Sequence, residues 1–194
     1  MTFLYRTAEI HEYCKEDFAK AVKTLPMSLA LYAEAAKEGE PRARRLAGMR
    51  ALADCLAYLS LPAPPITVGP YGKPDFSEGE YHFSISHAGG LALAVLAPLR
   101  VGADLELYDR PLSEGQIERL LLRCSEGESA RLSPLRGEAK RRAFLELWVK
   151  KEAMIKRDGR GLAALREADT AATPPDFYDT LLHGEREYFL AVYG

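Results

Sequence analysis

Residues 101–107 read Val101-Gly102-Ala103-Asp104-Leu105-Glu106-Leu107. Side chains at every second position of a strand share a face, so Val101, Ala103, Leu105 and Leu107 are expected to point one way and Gly102, Asp104 and Glu106 the other. The stretch lies near the middle of a chain of 194 residues. On both sides of it a helical region is followed by an extended one, which predicts an α+β fold of two similar halves meeting near residue 100.

Upstream, Phe18, Val22 and Leu25 carry helical spacing, as do Leu46, Met49, Leu52, Leu56 and Leu59, and two helices are expected in the first 60 residues. Pro62, Pro64 and Pro65 end the second, Ile66–Val68 can start a strand, and Gly69-Pro70-Tyr71-Gly72-Lys73-Pro74 makes a restricted turn. Tyr81, Phe83 and Ile85 alternate with His82, Ser84 and Ser86, the pattern of a half-buried strand. The apolar run 91–97 predicts a strand covered on both faces, and together with 101–107 these segments predict a three-strand meander. Downstream, Ser113 with Gln116 has the form of a capping box ahead of Ile117, Leu120 and Leu121. A longer helix is expected from Glu138 to Arg157, stopped by Gly159, and Phe177–Leu182 with Tyr188–Tyr193 form a hairpin about His183-Gly184-Glu185.

Asp104 and Glu106 place two carboxylates roughly 6 to 7 Å apart along one strand. Such a pair is either a solvated strand face or a divalent-metal site, since hard cations take carboxylate oxygens, phosphates and water. Gly102 on the same face leaves room for close approach to the backbone. In the long helix, Phe144 and Trp148 mark the buried stripe, and the same four-residue step runs on to Glu152 and Lys156. That pair is either a surface ion pair or a charged group placed where the core row should continue.

Segment 136–160 holds nine basic residues against four acidic ones. It is read either as a face for an anionic ligand or acidic protein, or as a charge-rich solvated helix. His87, beside Ser86 and ahead of Ala88-Gly89-Gly90, can donate to a phosphate oxygen, whereas His11, His82 and His183 are read as structural or exposed. Lys73 on its stiff turn, with Arg42, Arg44 and Arg45, adds donors suited to phosphate.

Composition narrows the field. With 47% apolar and 28% charged residues and a net charge of −2, the chain reads as an ordinary globular protein with no field that advertises nucleic acid or a membrane surface. Cys14, Cys55 and Cys124 are odd in number and lack metal-ligand spacing, which points away from a disulfide framework or zinc site and toward a reducing compartment. Without a charged start leading into an apolar stretch, and without about 18 consecutive apolar residues, the expected location is the cytoplasm.

In chain order, Gly72-Lys73-Pro74, Phe83-Ser84-Ile85-Ser86-His87, Gly102-Ala103-Asp104-Leu105-Glu106, the helix Trp148–Lys156 and Gly159-Arg160-Gly161-Leu162 resemble the 4'-phosphopantetheinyl transferase superfamily. The likeness is to its pseudo-dimeric monomer branch, the type that activates surfactin synthetase. Arg44-Arg45-Leu46-Ala47-Gly48 is similar to the family's N-terminal Arg-x-Leu-x-Gly element. Where the family commonly has Asn and Ser around the Ser-His pair, this chain has Ser84 and Ala88.

The resemblance implies the family's fold, two α/β subdomains (1–99 and 100–194) related by a pseudo-twofold axis. It further implies Mg²⁺-dependent transfer of the 4'-phosphopantetheine arm of coenzyme A to a serine of an apo acyl or peptidyl carrier protein, releasing 3',5'-ADP. Asp104, Glu106 and Glu152 match the Mg²⁺-binding acids, with Glu152 also the base for the serine hydroxyl. Lys156 and His87 match residues that hold coenzyme A phosphates and count with Glu152 as catalytic, Ser86 matches a further coenzyme A contact, and Arg44 and Lys73 match contacts to its nucleotide end. A monomer with no nucleic-acid or membrane partner is expected. The rival readings are a non-catalytic module that binds coenzyme A or a carrier protein, and a metal-dependent nucleotide hydrolase.

Overall fold

A computed structural model describes residues 2–194. The chain divides into two units, one ending at Val101 and one running Gly102–Gly194.

The first unit runs β1 (Leu4–Glu9), α1 (Lys15–Val22), α2 (Met27–Glu34), α3 (Glu40–Tyr58), β2 (Ile66–Val68), β3 (Pro74–Phe76), β4 (His82–Ala88) and β5 (Leu91–Ala97). Its main sheet is antiparallel in the order β1-β5-β4, and β2 and β3 form a separate ribbon. Every residue of β5 is buried, as an unbroken apolar run demands. Helix α3 supplies Leu46, Met49, Leu52 and Leu56 to the core shared with Phe83, Ala94 and Leu96. Burying an aliphatic side chain is worth about 1.5 to 3 kcal/mol, so this row anchors α3. The helical reading of the first 60 residues needs correcting: they hold a strand and three helices, and Leu25 and Leu59 lie just beyond α1 and α3. Burial on both sides of β4, at Phe83, Ser84 and Ser86, also replaces the half-exposed strand expected there.

The second unit runs β6 (Gly102–Leu107), α4 (Glu114–Leu121), α5 (Glu126–Leu132), α6 (Gly137–Asp158), a 3-10 turn (Gly161–Ala164), β7 (Phe177–His183) and β8 (Arg186–Tyr193). Its sheet is antiparallel in the order β6-β8-β7. The Ser113/Gln116 capping box opens α4, and a second, formed by Ser125 and Glu128, opens α5. Helix α6 ends at Gly159, whose φ of 68° suits a residue without a side chain. The β7–β8 hairpin pairs Phe177 with Val192 and Leu182 with Glu187.

Each unit has the same plan: a strand, three helices of which the last is longest, then an antiparallel pair whose final strand fills the middle of the sheet. The expected 81–107 meander is not formed. Strand β6 pairs with β8, placing Asp104 opposite Ala191 and Glu106 opposite Phe189. Among the described residues no helix is long and apolar enough to cross a membrane.

Candidate active site

Strand β6 is buried along its whole length, including both carboxylates: Asp104 is 2% and Glu106 7% exposed. The solvated-face reading of 101–107 is thereby excluded. The face that carries Gly102 is covered by α6, so closely that a Cβ at Gly102 would lie 2.0 Å from the Ala153 carbonyl oxygen and 2.1 Å from the Arg157 amide. The space that glycine leaves is taken by the helix backbone, not kept open for a ligand as the sequence suggested. This contact brings the last turns of α6 against the acidic positions of β6.

Along α6, Phe144 and Trp148 stack with ring centroids 5.6 Å apart, both buried. One step further Glu152 is half-buried, and Lys156 places Nζ 2.6 Å from Asp104 Oδ1. The surface-pair reading of Glu152 and Lys156 gives way to a pair joining helix to strand. Glu106 finds a different cation: both its carboxylate oxygens lie 2.8 Å from Nη1 of Arg110, on the turn after β6.

These groups act on one another. Burial, then repulsion from Asp104, pushes the Glu106 carboxyl up to about 7, against the pull of Arg110, with Glu152 adding to the rise. Burial and Asp104 likewise raise Glu152, while Lys156, Arg110 and a hydrogen bond from Trp148 hold the rise in check. Burial works against the Lys156 ammonium, yet Asp104 and Glu152 outweigh it and keep the group charged. Three carboxylates thus share one electrostatic environment with two cations.

Among the described residues no three His, Cys, Asp or Glu side chains are gathered closely enough to hold a metal ion. Asp104 and Glu106 are paired instead with Lys156 and Arg110. The donor chemistry nevertheless fits a hard divalent cation: all three acids offer oxygen, and two internal cations leave one carboxylate charge without a matching cation among these five groups.

In the first unit, Lys73 donates from Nζ to the Val101 carbonyl at 2.8 Å. Ser86 is buried on β4 and the adjoining His87 is exposed. Arg44 is exposed and paired with Glu40 one helical turn earlier, at 2.5 Å. Arg45 instead lies over the Tyr32 ring, and Arg42 over Phe18. His82, read as structural or exposed, pairs through Nδ1 with Asp75 at 2.7 Å.

The basic surplus of 136–160 is largely matched within its own unit. Lys140 meets Glu118, Arg141 meets Glu138, Arg142 meets Glu146 and Glu187, and Arg160 meets Glu167. Lys151 is wholly buried, with Nζ 2.6 Å from Glu128, itself fully enclosed. The open cationic face suggested by counting charges is therefore much reduced. Sequence reading missed Arg110 and the Lys151–Glu128 pair. A Ser-x-x-Glu signature at 125–128 was available for the latter, but nothing local marked Arg110 as a partner of Glu106.

Comparison with known proteins bears on the same residues. The family model described as the 4'-phosphopantetheinyl transferase superfamily matches residues 100–189, which include β6 and α6. The chain is 38% identical over 112 residues to the 4'-phosphopantetheinyl transferase HetI of a Nostoc strain, covering 54% of this chain and 46% of the relative. It is 37% identical over 134 residues to the 4'-phosphopantetheinyl transferase AcpT of Salmonella typhi, covering 67% and 65%. Against the 4'-phosphopantetheinyl transferase ffp of Bacillus subtilis it is 33% identical over 94 residues, covering 48% and 40%. The chain thus spans less than two thirds of the length of these curated relatives.

Proposed function

We propose that this chain, similar in sequence to the 4'-phosphopantetheinyl transferase superfamily, moves the 4'-phosphopantetheine arm of coenzyme A onto a serine of an apo carrier protein, acyl or peptidyl, and releases 3',5'-ADP. The observation that carries this reading is the burial of Asp104 and Glu106 beside Glu152, with the carboxyls of Glu106 and Glu152 both raised by burial and by the nearby Asp104. Groups perturbed in this way are common where proton transfer and phosphate chemistry occur.

Asp104, Glu106 and Glu152 are the oxygen donors assigned to Mg²⁺, which when bound supplies positive charge for a diphosphate. Glu152 takes the proton of the carrier serine. Its raised carboxyl is a stronger base than an ordinary one, and such assistance contributes about 10²- to 10⁴-fold. Lys156, kept charged by its neighbours, offers an ammonium to a phosphate oxygen. On the family resemblance His87 is assigned to a phosphate of coenzyme A, Ser86 to a further contact with coenzyme A, and Arg44 and Lys73 to its nucleotide end. We place the enzyme in the cytoplasm as a monomer.

One observation favours a second reading, a module that binds coenzyme A or a carrier without transfer: Asp104 and Glu106 each already have an internal cation. Incubating the chain with coenzyme A, an apo carrier protein and Mg²⁺ separates the two. A carrier that gains the mass of the arm, with 3',5'-ADP released and both lost in EDTA, is the expected result. Binding without mass gain supports the module, and 3',5'-ADP formed without any carrier supports a hydrolase.

A further inference from the structure

Arg110 stands four residues after Glu106, where the chain leaves β6. A single nitrogen, Nη1, is 2.8 Å from each Glu106 oxygen, so it straddles the carboxylate edge. An incoming divalent cation that used both oxygens would need that same edge. The two partners differ in freedom: the Glu106 side chain is 10% exposed, that of Arg110 40%. Arg110 also borders an open hollow lined by Asp109, Pro111, Ser113, Gln116 and Arg141, so its guanidinium can leave Glu106 without disturbing packed core. Its backbone is held separately, by donation to the Leu107 carbonyl at 3.1 Å.

We propose that Arg110 is a resident counter-ion of the site, covering Glu106 until a divalent cation displaces it toward the hollow. The arginine competes with the cation, lowering its affinity while keeping a buried carboxylate matched when no cation is present. Lys156 differs, since it reaches Asp104 from α6 and is more enclosed. This inference rests on the assignment of Glu106 to the cation in the proposed function.

The test is a Mn²⁺ titration of the protein alone, without coenzyme A or carrier, with free Mn²⁺ read by electron paramagnetic resonance. Arg110→Gln is expected to bind Mn²⁺ about tenfold tighter than the unaltered chain, the order set by loss of one charge-assisted hydrogen bond. Arg110→Lys is expected to fall between them. Arg119→Gln, on an exposed position of α4, removes an equal charge without touching Glu106 and is expected to change little. Equal affinity of Arg110→Gln and the unaltered chain, or an equal gain in Arg119→Gln, overturns the role of Arg110 and leaves the cation reading standing. No Mn²⁺ binding by any of the four proteins overturns both.

Discussion

Lys156 Nζ lies 2.6 Å from Asp104 Oδ1, tying the end of α6 to β6 across 52 residues of sequence. Asp104 is almost wholly enclosed, and Lys156 keeps 28% of its side chain exposed. Breaking a fully buried ion pair costs about 3 to 5 kcal/mol. Partial exposure lets solvent take up some of the loss, so Lys156→Gln is expected to lower stability by about 1 to 2 kcal/mol. Urea unfolding measures it, and an unchanged midpoint would show that the pair contributes nothing to holding helix and strand together.

The Glu106 carboxyl gives a pH signature. Its value in the folded chain rises from the usual 4.5 to about 7, so between those limits the folded state holds a proton that the unfolded state has released. Stability from this group is therefore present below pH 4.5 and lost as pH climbs through 7. In EDTA, Glu106→Gln should gain on the unaltered chain by roughly 2 kcal/mol between pH 5 and pH 8. A stability difference that stays flat or shrinks over that range contradicts the assignment.

Gly102 and Gly48 both meet close neighbours, with different consequences. A methyl at Gly102 collides with the α6 backbone at 2.0 Å, whereas at Gly48 it meets a side-chain methyl, Cγ2 of Ile85, at 2.8 Å. Gly102→Ala is expected to cost about 3 kcal/mol or more, the upper range for overpacking. Gly48→Ala should cost about 1 kcal/mol at most, its strain offset by better helix propensity within α3. Thermal melts of the two variants compare them, and equal losses would place α6 farther from β6 than described.

Lys151 and Glu128 form a pair with neither side chain exposed, and Glu128 also accepts from the Thr170 amide and hydroxyl. Burial raises the Glu128 carboxyl, but Lys151, Ser125 and Thr170 more than reverse this and hold it below the usual range. Lys151→Met leaves that charge enclosed without its cation and is expected to cost about 3 to 5 kcal/mol. Adding Glu128→Gln removes the stranded charge and should recover part of the loss. Strictly additive effects in the four-protein cycle would show that the two groups do not interact.

What could be read from sequence was local. The stripe of α6, its stop at Gly159, the Ser113 capping box and the final hairpin all rest on periodicity or on residues a few positions apart. What could not be read depends on distant pairing. Strand β6 alternates like a half-exposed strand, and only its pairing with β8 and its cover by α6 reveal that Asp104 and Glu106 are enclosed. The same holds for the basic residues of α6, whose neutralising partners Glu118, Glu128 and Glu187 come from other elements. β1 carries no such signal, because Leu4-Tyr5-Arg6-Thr7-Ala8-Glu9 does not alternate apolar with polar residues and its partner, β5, lies more than 80 residues downstream.

The proposed function requires Glu152 to act together with Asp104 and Glu106 in one reaction. Intact-mass analysis of an apo carrier protein, after incubation with coenzyme A, Mg²⁺ and either the unaltered chain or Glu152→Gln, tests this. The prediction is complete conversion by the unaltered chain and a rate at least about 100-fold lower with the variant, whose thermal melt stays cooperative. Conversion at an undiminished rate by a folded Glu152→Gln would contradict it.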